Sequence, residues 1–332
     1  MNFSIAMCTF NGADYLQAQL DSLANQTLKP GELIVCDDGS IDATHEILSD
    51  FAGEAPFPVS VKINKNKLGV VQNFAQAIEL CSGEVIALCD QDDVWHPQKL
   101  ERLMTAFNGT SRPGLVFSDA EIVDKDLQPM HVTLWQTIKF DEKQRKSLSS
   151  EKFEFLAPGW TVTGATLAFR SEYRALCLPI PTNLPMIHDG WIALTIAAVA
   201  PVVAIAEPLI KYRRHSNQHT GLPDPEDTES PNNRSLRGAL QRQTSYSNLP
   251  LILSTLRERL ETNRAVFDCE KGLRRTEQYL KHLKERAVMR SRKLGRIPAV
   301  IRELTSLRYH RYSNGFRSAA KDLLSLRTHQ LK

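Results

Sequence analysis

Short apolar runs and amphipathic stretches alternate over the first hundred or so residues. FSIAMC (3–8), ELIVC (32–36), PVSVKI (58–63) and EVIALC (84–89) are apolar runs of strand length. Between them lie ADYLQAQLDSLANQ (13–26), DATHEILSDF (42–51) and VQNFAQAIELC (71–81), with Leu16, Leu20 and Leu23, then Ile47, Leu48 and Phe51, at helical spacing. Strand–helix alternation of this kind predicts an α/β layer on a mostly parallel sheet. From 112 to 213 the pattern loosens into strand-like runs separated by loops, among them GLVFSDAEIV, GATLAFR and PVVAIAE. LPDPEDTESPNN (222–233) is polar and proline-rich and reads as a loop. Beyond it, LPLILSTLRERLETN and LRRTEQYLKHLKERAVM return to helical spacing. The expected organisation is therefore an α/β domain over 1–220, a loop or linker over 221–248, and a helical C-terminal region over 249–332.

Ligands of such sheets bind beyond the carboxyl ends of the strands. Those ends carry TFNG (9–12), DDGS (37–40), NKNKLG (64–69) and DQDD (90–93), so one sheet edge collects polar and acidic groups. A dinucleotide fold would need G-x-G-x-x-G at the first turn, and TFNGADY has one glycine. A nucleotidyltransferase would need a glycine- and base-rich first loop for a triphosphate, which is also missing.

The DQDD loop sets the chemical problem. Asp90 and Asp92 are two apart and in an extended segment project to the same side. Without a cation they repel, and one tends to hold its proton. A hard divalent ion such as Mg²⁺ or Mn²⁺ removes that penalty and also takes phosphate oxygens. The plainer alternative is that Asp92 or Asp93 caps a helix beginning in DDVWHPQKLERL.

Composition narrows the field without choosing a function. The chain has 332 residues, of which 42% are hydrophobic and 24% charged, enough for a large core. Six scattered cysteines form no CxxC pair and read as buried thiols of a reducing compartment. The N-terminus goes directly into a strand, with no basic leader, and the longest apolar stretch, 192–206, is too short for a membrane span and is broken by Pro201. Charge is uneven. Residues 284–332 hold thirteen Lys or Arg against Glu285, Glu303 and Asp322, whereas the whole chain carries only +3. Leu294, Ile297, Val300, Ile301, Leu304 and Leu307 interleave with those charges at helical spacing, which suits either an anionic membrane surface or a solvated face packed on the protein. No nucleic-acid module is recognisable and the front half has no basic groove.

Taken together, the motifs TFNGADY, CDDGS, LGVVQN, LCDQDDVWHP, TGATLAFR and HDGW, in this order and spacing, resemble the family 2 glycosyltransferases of the GT-A fold. The DQDDVW and HDGW forms are most similar to the bacterial rhamnosyltransferase-type branch, which builds surface polysaccharides. The resemblance covers roughly 1–220. It implies an inverting transfer from a nucleoside-diphosphate sugar, dTDP-rhamnose or a UDP-sugar, to a glycan or lipid-linked acceptor. It also implies a cytoplasmic enzyme, peripheral on the inner face of the cytoplasmic membrane, without nucleic-acid partners.

Carried over by position, the resemblance implies that Thr9, Phe10 and Asn11 line the nucleotide base. Asp38 accepts from the pyrimidine ring, with Asp37 supporting the loop. Gly69 and Asn73 flank the nucleotide, Asp90 is shared between ribose and metal, and Asp92 contacts a Mn²⁺ or Mg²⁺ ion. Gly164 admits the sugar or acceptor closely, and Trp160 and Trp191 offer stacking faces. Asp189 is the base that takes the acceptor proton, although it could also be only the cap of the following helix. His215, with His219 as its competitor, is a third metal ligand or diphosphate contact, and Arg213 and Arg214 pair with phosphate oxygens. HDGW has Gly190 where the family often has Trp, which alters the acceptor pocket. The alternative class is a non-catalytic sugar-nucleotide-binding or scaffold protein on the same fold.

Overall fold

A computed structural model describes residues 1–149, 153–157, 161–215, 231–291 and 296–324. They form two compact units, Met1–Tyr246 and Ser247–Lys332.

The first unit begins as the pattern predicts. Strands β1 (Phe3–Thr9), β2 (Glu32–Asp37), β3 (Val59–Ile63) and β4 (Val85–Cys89) alternate with helices α1 (Ala13–Ala24), α2 (Thr44–Glu54) and α3 (Val70–Leu80). The four strands pair in parallel in the order β3-β2-β1-β4. β1 and β4 are buried along their whole length, which is why they read as unbroken apolar runs. β3 is the edge, and its largely exposed pattern reflects that.

The second half of the sheet is mixed. β5 (Val94–Trp95), α4 (Lys99–Phe107), β6 (Leu115–Val123) and β7 (Pro129–Thr133) come first. The helices α5 (Leu134–Ile138) and α6 (Glu142–Ser149) follow, then β8 (Leu167–Arg170), α7 (Arg174–Cys177), α8 (His188–Ala197) and β9 (Val202–Arg213). β8 enters antiparallel between β4 and β6, β9 lies parallel to β6, and β5 closes the far edge antiparallel to β9. The two-residue β5 replaces the first turn of the helix expected in DDVWHPQKLERL. Pro97 disfavours helical backbone at the residue before it, so α4 starts only at Lys99, with Gln98 at its N-cap. Neither Asp92 nor Asp93 caps it.

α9 (Pro231–Asn263) is already helical over 231–248, where a linker was expected. Serine, leucine and glutamine outnumber breakers after Asn233, so the proline-rich signal ends earlier than the polar composition suggests. Residues 216–230 lie outside the described set.

The second unit contains α10 (Glu270–Ser291), α11 (Arg296–Thr305), α12 (Arg308–Tyr312) and α13 (Phe316–Leu324). Its basic segment is not a free arm. Met289, Val300, Tyr309 and Ala319 form a small core. Around it, the buried Asp322 carboxylate accepts from Arg286 at 2.6 Å, Arg290 at 2.8 Å and the Tyr309 hydroxyl at 2.8 Å. The buried His282 bridges Glu303 at 2.7 Å and Ser313 at 2.9 Å. Asp322 and Glu303 thus pair with part of the local positive charge, and Val300 belongs to the core. Ile297, Ile301 and Leu307 are exposed as expected, and Leu294 lies outside the described residues. Among the described residues, no helix is long and apolar enough to cross a membrane.

Candidate functional site

The carboxyl ends of β1, β2 and β4 meet at one edge, and their side chains knit the loops together. Asp37 is fully buried and accepts from the Thr9 hydroxyl (2.7 Å), the Ser40 hydroxyl (2.6 Å), the Ser40 and Gly39 amides (2.8 and 3.1 Å) and His45 (2.7 Å). Burial pushes its carboxyl up, but those donors outweigh it and hold the group below the usual carboxylate range. Asp38 gathers the next loop, accepting from Asn64 (3.1 Å) and from the amides of Leu68 (2.7 Å) and Gly69 (2.8 Å). Gly69 has φ +78° and stands at the N-cap of α3, a backbone that suits glycine. Asn73 gives its amide to the Cys36 carbonyl (2.7 Å) and accepts from Asn64 (2.8 Å). It sits inside α3, so it ties that helix to β2 rather than capping it.

Asn11 adopts φ +46° and accepts from the Ile41 amide at 2.9 Å. The turn thereby presents Phe10, 38% exposed, with the Lys67 ammonium 3.4 Å from its ring centroid. The Phe10 amide donates to Gln91 at 2.8 Å, linking this turn to DQDD.

The acidic loop is densely charged. Burial first, then the Asp92 and Asp189 charges, push Asp90 up to about 7, against the opposing Lys99. Asp93, buried and beside Asp92 and Asp90, is pushed well up too. Its Oδ1 accepts from the Arg213 amide at 3.0 Å. Asp92 Oδ2 meets His215 Nε2 at 2.9 Å, and the His215 ring lies on Tyr15 with centroids 4.4 Å apart. Carboxylate oxygens and an imidazole nitrogen are donor types that suit a divalent cation. Asp90, Asp92 and His215 are the residues that would hold it. As placed, no three His, Cys, Asp or Glu side chains among the described residues converge on one ion position.

Arg213 differs from expectation. It is buried, donating from Nε to the Asp92 carbonyl (2.7 Å) and from Nη1 to the Lys125 carbonyl (2.6 Å), with its guanidinium 4.8 Å from the Tyr15 centroid. A buried guanidinium needs acceptors for its fixed fork of donors, and backbone carbonyls supply them. It braces the DQDD loop.

The third component enters from α8. Asp189, buried, is the second residue of that helix, with Ile187 at the N-cap. Its Oδ2 accepts from the Gly164 amide at 3.0 Å and its Oδ1 from the Gly190 amide at 2.5 Å. Burial pushes this carboxyl up to about 6 in spite of those two donors. Gly164 opens a 3-10 turn, Gly164–Thr166, ahead of β8. Trp191 is fully buried and donates to the Cys177 carbonyl at 2.9 Å, so it is core and offers no stacking face. Trp160 and His219 lie outside the described residues.

Lys99 joins the parts, and nothing in its sequence context marks it. It is fully buried, donates from Nζ to the Ala165 carbonyl at 2.6 Å and lies 3.5 Å from the Trp95 ring centroid. Burial pushes its ammonium down to about 7, although Asp93 and Asp90 favour the charge. In QKLERL it reads as an exposed lysine on an amphipathic helix. Only the fold sets it between the acidic loop and the turn that holds Asp189.

The family model described as Glycosyl transferase family 2 matches residues 4–163. An uncharacterized glycosyltransferase of Nostoc sp. is 27% identical over 221 residues, covering 66% of this chain and 67% of that protein. An uncharacterized protein of Mycobacterium tuberculosis is 26% identical over 222 residues, covering 64% and 59%. The chain thus spans about three fifths to two thirds of the length of these relatives. Among solved structures, Staphylococcus aureus TarS 1-349 in complex with UDP-GlcNAc aligns over 97% of this chain and 91% of its own, with TM-score 0.58 and 15% identity. At that identity the likeness speaks for the fold.

Proposed function

We propose that this chain, whose residues 4–163 match the model described as Glycosyl transferase family 2, transfers a sugar, with inversion, from a nucleoside-diphosphate sugar to a hydroxyl of a glycan or lipid-linked acceptor in bacterial surface polysaccharide synthesis. The donor is dTDP-rhamnose or a UDP-sugar. The observation that carries the reading is that Asp189, raised to about 6 by burial, lies near enough to DQDD for its charge to act on Asp90. A base and a set of carboxylates suited to a diphosphate–metal pair therefore share one site.

Asp189 accepts the acceptor hydroxyl's proton as that oxygen attacks the anomeric carbon. The Gly164 and Gly190 amides keep the carboxylate aimed and leave it lone pairs for that proton. Phe10, with Thr9 and Asn11 behind it, forms the wall for the nucleobase, and Asp38 fixes the Gly69 loop across from it. Asp90 reaches the ribose side, and Asp90, Asp92 and His215 would hold Mn²⁺ or Mg²⁺. That ion, when bound, supplies positive charge to the leaving nucleoside diphosphate. Arg213 and Lys99 keep the acidic loop in place.

A panel of nucleotide sugars, screened by thermal shift with and without Mn²⁺ or Mg²⁺ and then by turnover, tests the reading. A ligand of the native state stabilises it in proportion to the logarithm of its concentration above Kd. We expect one dTDP- or UDP-sugar to stabilise the protein and to be consumed in the presence of an acceptor. TarS 1-349 has been solved with UDP-GlcNAc, which supports including that donor in the panel. Binding without turnover on any acceptor would favour the non-catalytic alternative.

The proposal includes a peripheral site on an anionic membrane, at its cytoplasmic face. Ile297 and Ile301 are exposed one helical turn apart on α11. On α13, Phe316 and Leu324 are exposed, with Arg317 and Lys321 between them on the side away from the buried Ser318, Ala319 and Asp322. Each basic residue near such a surface contributes on the order of 1 kcal/mol. Arg317→Glu with Lys321→Glu is therefore expected to lower sedimentation with anionic vesicles by at least roughly tenfold at low salt. Both residues lie outside the small core, so the fold should persist. Equal binding of the unaltered chain to neutral and anionic vesicles, or none to either, would refute the membrane site.

A further inference from the structure

His188 is a buried polar group that the proposed mechanism does not use. The residue is 4% exposed, and among the described residues neither Nδ1 nor Nε2 has a hydrogen-bond partner. Burial pushes the imidazole down to about 3, so it is neutral at working pH. A neutral imidazole carries one N–H donor and one lone pair. Leaving both unmatched costs about 1–3 kcal/mol per group, a cost that an apolar ring of the same shape would avoid.

The surroundings fix this ring in place. It stacks on Phe74 with centroids 4.1 Å apart and planes 20° apart. Phe74 follows Asn73 on α3, the helix whose start Asp38 holds through the Gly69 amide. On the other side stands Gly164, where a Cβ would come within 3.0 Å of Nε2. The Gly164 amide is the donor to Asp189. The unmatched imidazole is therefore clamped between the helix at the nucleotide loop and the turn that aims the Asp189 carboxylate.

The two ring nitrogens point away from each other, so each takes its own partner. A hydroxyl can serve at either one, accepting from the N–H or donating to the lone pair. We propose that His188 is a specificity-determining residue whose imidazole pairs with a sugar hydroxyl held beside Asp189 in the reacting complex. The hydroxyl belongs either to the donor sugar or to the acceptor glycan. This rests on the glycosyltransferase reading for its ligand class, while its test does not require turnover.

Imidazole ¹⁵N NMR of the full chain supplies the direct readout, with the His188 resonances assigned by their loss in His188→Phe. Nucleotide sugars, the matching nucleoside diphosphates without sugar, and acceptor-type methyl glycosides are added separately. A shift in the His188 nitrogens with the nucleotide sugar, but not with the nucleoside diphosphate, assigns the hydroxyl to the donor. A shift with the methyl glycoside assigns it to the acceptor. His188 resonances that no sugar moves would overturn the proposal, even if the protein turns over a donor. Sugar-dependent shifts without any turnover would uphold it and count against the enzymatic reading alone.

Kinetics add a second arm. His188→Phe keeps the stacking and removes both nitrogens, and is expected to melt no lower than the unaltered protein and to lose roughly 10–100-fold in kcat/KM. His188→Gln, which keeps a donor and an acceptor, should recover part of that loss. A deoxy sugar lacking the paired hydroxyl should be penalised by the unaltered protein and not further by His188→Phe. Equal penalties in both proteins would mean that the ring has a packing role only.

Discussion

Asp189→Asn is expected to lower turnover by roughly 10²- to 10⁴-fold while leaving nucleotide-sugar affinity nearly unchanged, because it removes a proton acceptor and little binding surface. The unaltered protein should show a pH–rate profile for kcat/KM that rises through about pH 6, where Asp189 ionises, and flattens above. The residual rate of the variant should lack that limb. Stability gives an independent check on the sign. The folded pKa lies above the unfolded value of about 3.9, so the acid form is favoured by folding. That contribution is complete below about pH 4 and is lost as pH rises through about 6. The melting temperature of Asp189→Asn should therefore gain on that of the unaltered protein over this window and hold its gain above it. If donor affinity collapsed while the saturated rate persisted, Asp189 would be a binding residue and the base would lie elsewhere.

Asp92→Asn is expected to remove at least roughly 10²-fold of activity and most of the stabilisation that Mn²⁺ or Mg²⁺ gives with a nucleotide sugar. Its side chain is partly exposed and meets His215 at 2.9 Å, so an isosteric amide should leave the loop folded. The Asp92 charge is the second cause, after burial, of the raised Asp90 carboxyl. The substitution should therefore bring Asp90 back toward its ordinary range, which carboxyl-directed NMR titration can follow. Melting curves with and without ion and donor, for the unaltered chain and the variant, read the metal part directly. Full activity of the unaltered chain in excess EDTA would exclude a required divalent ion and leave Asp92 a purely structural partner of His215.

The alternation of apolar runs and amphipathic stretches was enough to call β1, α1, β2, α2, β3, α3 and β4, and with them the parallel half of the sheet. The reason is that helix and strand periodicities are local: Leu16, Leu20 and Leu23 announce their common face without help from any distant residue. The same local grammar located the polar strand ends, and the order of TFNG, DDGS, DQDD and HDGW pointed to the family. What only the tertiary structure decided depends on partners far apart in the chain. β8 inserts antiparallel between β4 and β6, a pairing that no turn signal encodes. Lys99 carries no mark in its sequence context, and Arg213 reads as a phosphate contact, until the carbonyls of Ala165, 66 residues away, and Asp92, 121 residues away, accept their hydrogen bonds in a buried setting. The basic tail reads as an amphipathic helical segment, and only the fold shows Asp322, Glu303 and His282 gathering it around a core. Asp189 and His188 are adjacent in sequence and alike in burial, yet one carboxylate is held by two amides and one imidazole is left unmatched. Burial, and the distance to the next charge or donor, are properties of the assembled fold. They set which of these side chains are held by partners, which have shifted protonation and which brace the others.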